Sequence, residues 1–249
     1  MIPYFVSGLF HCILYGFVFG FSKEHYYHLF WDNTEGLPIS GALWFLTALF
    51  FTDVLYLIID RFRLHFLIIP LAIFGCYAEA YFNLQLPWAI NASLVGMGFY
   101  WCGDLYKKIC DRKIISILFR RYYVTVVYVV TVLLILFNGY VNMRTGKYAN
   151  VLLFWINALL SIMIILSASE FLSEKVHSEI LLSIGRNSII YLGFNQLVIT
   201  VIRRILDRFT IPIVLERCIL LLLFSISLLY LLYILFTRTK LRICFGKSK

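Results

Sequence analysis

Eight stretches of about twenty residues, each dominated by apolar side chains, follow one another along this chain: 2–21, 42–60, 64–83, 87–106, 122–140, 150–172, 181–202 and 213–236. A helix needs about twenty apolar residues to cross the hydrocarbon of a bilayer. A soluble surface takes about a quarter of its residues charged, whereas only 14% of these 249 are charged and 62% are hydrophobic. Runs such as Val126 to Phe137 and Ile219 to Phe224 do not alternate. That removes the closed β-barrel, the other structure that satisfies its backbone inside lipid. The sequence therefore predicts an all-α fold, a polytopic transmembrane helical bundle of about eight spans. Two stretches are less uniform: 64–83 carries Pro70 and Glu79, and 181–202 carries Asn187 and Asn195.

Charge orients the spans, because Lys and Arg collect in cytoplasmic loops. With alternating spans, fifteen of the 22 basic residues fall on the side of the N-terminus, among them Arg61, Lys107, Lys108, Arg186 and Arg238. Seven fall on the other side: Lys23, Arg144, Lys147, Arg203, Arg204, Arg208 and Arg217. Both termini are expected in the cytoplasm, with the protein integral to the plasma membrane. The net charge of +9 is spread along the flanks of apolar runs rather than gathered in one patch, so no nucleic-acid partner is expected. Six cysteines occur without a Cys-x-x-Cys pair, which suggests neither a zinc site nor a disulfide framework. Between the spans, 22–41 reads as an outer loop with turns at Gly36, Pro38 and Gly41, and 107–121 as a basic inner loop facing anionic lipid.

Polar groups within apolar stretches narrow the function further. An ionised Asp at mid-bilayer costs about 2.5–3.5 kcal/mol on insertion scales, so it needs a partner or a wet cavity. Asp53 lies near the middle of the second span, with no basic residue within four positions; it is either a cavity-lining group or a neutral packing residue. Glu79 and Glu170 sit near span ends and reach the interface, and His11 reads as a satisfied buried imidazole. The outer loop Asn142-Met143-Arg144-Thr145-Gly146-Lys147-Tyr148 is either a solvated turn or a substrate-facing loop, since Arg, Asn and Tyr donate to sugar or phosphate oxygens. Gly185-Arg186-Asn187-Ser188 opens the seventh span, with Asn187 and Ser188 as candidate caps and Arg186 able to snorkel to lipid phosphate. Asn195 and Gln196 lie deeper in that span and are expected to face the bundle. No Ser-His-Asp set, phosphate-binding glycine loop or His-x-x-x-His helix is present.

Five segments, in order along the chain, resemble the acyltransferase-3 family of membrane O-acyltransferases, and in particular its fucose-4-O-acetylase-like branch. They are Ile2-Pro3-Tyr4-Phe5; Leu43-Trp44-Phe45-Leu46 with Ala48-Leu49-Phe50; Leu86-Pro87-Trp88 through Phe99 and Gly103; Asn142 to Tyr148; and Ile184-Gly185-Arg186-Asn187-Ser188. The resemblance implies one membrane-embedded domain over 1–249. It also implies transfer of an acyl group, commonly acetyl, from acetyl-CoA or another acyl-CoA to a hydroxyl of a cell-envelope polysaccharide or lipid-linked sugar, without a metal. Such chemistry needs a base for the hydroxyl and donors for the tetrahedral oxyanion.

The family's base, a His in its first two helices, and an Arg pair before its third helix have no counterpart in this chain. The first apolar run also begins at Ile2 with no cationic flank, so the chain is expected to lack two N-terminal helices and to be inactive by itself. His11 sits in the wrong helix to replace the base, and Phe194-Asn195-Gln196 stands where many relatives have His. No catalytic residue is assigned. Trp44, Asp53, Asn142, Arg144, Tyr148 and Arg186 are expected to line the remaining cavity and bind substrate. The alternative is a small multi-span transporter or flippase-like protein for an amphipathic solute, which would show inverted repeats and paired broken helices.

Overall fold

The computed structural model describes residues 1–34, 41–82, 84–110, 121–175, 178–208 and 214–239. Among them are ten α-helices: α1 (Ile2–Phe19), α2 (Lys23–Phe30), α3 (Trp44–Arg61), α4 (Ile68–Phe82), α5 (Ile90–Cys110), α6 (Arg121–Asn138), α7 (Val151–Lys175), α8 (Glu179–Arg186), α9 (Ser188–Leu206) and α10 (Val214–Arg238). A single small hairpin pairs β1 (Val141–Asn142) with β2 (Lys147–Tyr148). The fold is all-α, and seven of the eight apolar stretches each coincide with one helix. His65–Phe82, Val151–Ser173, Ser188–Leu206 and Val214–Arg238 are long and apolar enough to cross a membrane, while Ile2–Phe17 and Thr125–Asn138 are shorter apolar helices. α3 carries Asp53, Asp60 and Arg61 within its 18 residues, and α5 carries Asp104, Lys107 and Lys108 towards its end.

Two parts of the sequence fold differently from expectation. The segment 22–41 is not loop throughout, since Lys23–Phe30 is helical. The Ser22 hydroxyl accepts from Glu24 N at 3.2 Å, and Glu24 sits in the first turn, where the helix dipole favours an acid. The expected turn residues Gly36 and Pro38 lie outside the described residues, as does most of the basic stretch 107–121. The seventh apolar stretch is two helices, α8 and α9, interrupted at Asn187. Asn187 occupies the N-cap position of α9, but its amide donates backwards to Ser183 O at 2.7 Å, so it fastens the two helices rather than capping the second.

The chain forms two compact units, one of Met1–Thr47 with Glu179–Lys249 and the other of Ala48–Ser178. In the first, α1 packs on α2 and α9, and α9 packs on α10. Ile190, Phe194, Val198, Ile202 and Leu206 recur every fourth residue as a buried stripe on α9, against Leu229 of α10. That stripe leaves Gln196 on the opposite face and exposed, contrary to its expected inward position, while Asn195 is half-buried. The Phe194 ring stacks on Phe236 at 5.0 Å and meets His11 edge-on at 5.7 Å. His11 is accordingly buried, at 1% exposure. The Tyr4 hydroxyl donates to Leu29 O at 2.6 Å, which ties α1 to α2.

The second unit is built on the α4–α5 pair. Lipid is as apolar as leucine, so helices in a membrane associate through close packing rather than burial from water. The seam is accordingly small: Ile68, Ala72, Gly75, Cys76 and Ala78 are the buried residues of α4. A Cβ on Gly75 would lie 2.8 Å from Asn91 O, and one on Gly98 only 2.5 Å from the Trp155 ring of α7. α3 joins through Ile59, which packs with Ile68, Leu94 and Met97, and through Thr52, whose hydroxyl donates to Ser93 O at 3.1 Å. α6 and α7 form the other helical pair of this unit.

Candidate functional site

The site residues that cluster do so at one end of the second unit, where the connection from α6 to α7 folds back onto α4. Gly139 (φ 76°) leaves α6, and the strands pair Val141 with Tyr148 and Asn142 with Lys147. Asn142 shapes the turn between them: its Oδ1 accepts from Arg144 N at 3.0 Å and its Nδ2 donates to the Tyr140 hydroxyl at 3.0 Å. This is the Asx-turn chemistry that makes asparagine common in loops. Met143–Thr145 forms one 3₁₀ turn with Arg144 half-buried at its centre. Gly146 closes the turn in the left-handed region at φ 57°.

Gly146 is also the point of closest approach to α4. A Cβ there would lie 2.7 Å from both the Cβ and the Oε2 of Glu79, so only glycine lets the hairpin seat on that helix. Glu79 is half-buried, and its Oε1 accepts from Gln85 Nε2 at 3.0 Å. Tyr148 stacks obliquely on Phe154 at 4.8 Å. Burial pushes the Tyr148 phenol above the ordinary tyrosine range, and the neighbouring Cys76 and Glu79 push it in the same direction. The phenol is therefore a neutral donor throughout the physiological pH range. One turn further on, the Asn91 amide donates to Leu84 O at 2.7 Å and anchors the chain between α4 and α5. Trp88 and Ala89 enter α5 in the left-handed region, at φ 62° and 58°.

The arrangement brings Glu79, Gln85 and Tyr148 together next to the turn that carries Arg144, a mixed set of donors and acceptors suited to hydroxyl groups. The histidine described in this unit, His65, lies at the opposite end of α4, 3.5 Å from Asp60 and about 20 Å along the helix from Glu79. Among the described residues, no three His, Cys, Asp or Glu side chains are placed to hold a metal ion.

The residues expected from sequence divide between the two units. Asn142, Arg144 and Tyr148 come together on the hairpin. Asp53 belongs to the same unit but is exposed on α3, while its neighbour Thr52 takes the buried side. Trp44 and Arg186 belong to the first unit: Trp44 is half-buried and its carbonyl accepts from the Thr47 hydroxyl at 2.7 Å, and Arg186 is exposed at the end of α8. Sequence reasoning saw Glu79 as a carboxylate near a span end but did not join it to the hairpin, and it missed Gln85. Glu79 meets Gly146 from far along the chain, and Gln85 enters the cluster only through Glu79, so no local pattern announces either.

Apolar helices packed through small residues, with a polar cluster where helix ends meet, define a polytopic helical membrane protein. The family model described as an acyltransferase domain, acyltransferase 3, matches residues 1–236, and the chain belongs to that family. No curated protein and no solved structure matches it.

Proposed function

We propose that the protein is a membrane O-acyltransferase that moves an acyl group, acetyl in the simplest case, from acyl-CoA to a hydroxyl of a cell-envelope polysaccharide or lipid-linked sugar. The match to the acyltransferase family over 1–236 carries this reading. In the reaction, the sugar oxygen attacks the thioester carbonyl as a base takes its proton, and the tetrahedral oxyanion collapses with loss of the CoA thiolate. The hairpin cluster supports a role in holding the acceptor, with the Arg144 guanidinium, the neutral Tyr148 phenol and the Gln85 amide as donors to sugar oxygens. Glu79 is the carboxylate of this cluster, and its contacts with Gln85 and Gly146 suit it to fastening the hairpin. The bias of fifteen basic residues to seven supports both termini in the cytoplasm of the plasma membrane, with the hairpin outside.

The test uses cells. Membranes from cells with and without the gene are given acetyl-CoA labelled in the acetyl group. Label in an alkali-labile ester on envelope glycan is expected only where the gene is present. Equal labelling of both preparations would contradict the assignment.

A further inference from the structure

The first unit holds a cavity of about 390 Å³ that the acyl-transfer reading does not use. It lies between the end of α9 and the start of α10 and is lined by Arg203, Leu206, Val214, Arg217, Cys218 and Leu221. Arg217 pairs with Asp207, which neutralises one charge of the lining. No described carboxylate pairs with Arg203. Residues 203–217 carry four arginines, Arg203, Arg204, Arg208 and Arg217, against Asp207 and Glu216.

This density of cations stands on the side where topology disfavours it. By the alternation of spans the α9–α10 connection faces away from the cytoplasm, yet it holds four of the seven basic residues on that side. Orientation of the chain does not explain them, and binding of an anion does. Guanidinium groups match phosphate oxygens in paired, fork-like hydrogen bonds. Four of the six lining residues are uncharged, and the cavity opens onto the first turns of α10, where Val214 is 76% and Leu215 69% exposed. We propose that this cavity holds the phosphate group of a membrane lipid with a net anionic headgroup, one with no cation of its own to compete with the arginines, with the lipid's chains lying along α9 and α10. The apolar lining favours a lipid over free phosphate, which has no use for it.

Cys218 lies in the cavity wall and reports its occupancy. The full chain in lipid nanodiscs of phosphatidylcholine, alone or mixed with phosphatidylglycerol, is treated with N-ethylmaleimide, and alkylation of Cys218 is followed by peptide mass spectrometry. Cys102, half-buried on α5, is the internal control. Phosphatidylglycerol should slow Cys218 by about fivefold, the factor 1 + [L]/Kd at four times Kd, and leave Cys102 unchanged. Inorganic phosphate in phosphatidylcholine discs should give no protection; protection equal to that of the lipid would overturn the lipid assignment. Arg203→Gln should abolish the protection, and full protection in that variant would overturn the role of the cavity. Should Arg203→Gln fail to insert, native mass spectrometry of the unaltered chain decides the matter. Retention of phosphatidylglycerol over phosphatidylcholine is expected, and equal retention contradicts the proposal.

Discussion

Replacing Gly146 by alanine tests how the hairpin is held against α4. Two costs follow from the structure. The residue sits at φ 57°, where a side chain costs about 1–2 kcal/mol relative to glycine. The new Cβ would also meet Glu79 Cβ and Oε2 at 2.7 Å, an overpacking worth about 1–3 kcal/mol. Together they predict that Gly146→Ala weakens docking of the hairpin by about 2–5 kcal/mol. Hydrogen exchange of the amides of 140–149 in detergent reads this directly, because local opening free energies appear there before global unfolding does. A second substitution separates the two costs. In a Glu79→Gly background the steric part vanishes, so Gly146→Ala should then cost only the backbone part of about 1–2 kcal/mol. Exchange of the hairpin amides unchanged within about 0.5 kcal/mol in the single variant would refute the contact itself.

Other substitutions probe the rest of the account. Gly98→Ala places a methyl 2.5 Å from the Trp155 ring and should destabilise the second unit by about 1–3 kcal/mol, read as a lower thermal midpoint in detergent. Tyr4→Phe leaves Leu29 O without its donor at a fully buried position and should cost about 1–3 kcal/mol by the same measurement. Arg144→Ala should lower acetyl transfer to glycan in cells by about tenfold or more, the rate equivalent of one charge-assisted hydrogen bond, at unchanged membrane abundance. Wild-type transfer by that variant would remove Arg144 from the acceptor site.

Much of the fold was legible because the bilayer imposes a ruler. Seven of the eight apolar stretches of about twenty residues each became one helix, and departures came where local chemistry outweighed hydropathy. Ser22 and Glu24 started a helix in a segment read as loop, and Asn187 split one apolar run into two helices. The site was less legible. Asn142, Arg144 and Tyr148 stood out as polar residues in a short loop and do share a hairpin. Asp53 stood out equally, yet helical periodicity turns Thr52 inward and Asp53 outward, which hydropathy alone does not report. The pairing of Gly146 with Glu79 spans 67 positions and shows in the sequence only as a turn glycine and a solitary acid.

The central claim is that this protein esterifies a sugar hydroxyl of the cell envelope. The most direct measurement is the proton spectrum of envelope glycans purified from cells with the gene, from cells deleted for it, and from the deletion restored by the intact gene. An O-acyl methyl resonance is expected that disappears on deletion, returns on restoration and is lost on mild alkali. O-acyl resonances of equal intensity in all three preparations, on every envelope glycan, would contradict it.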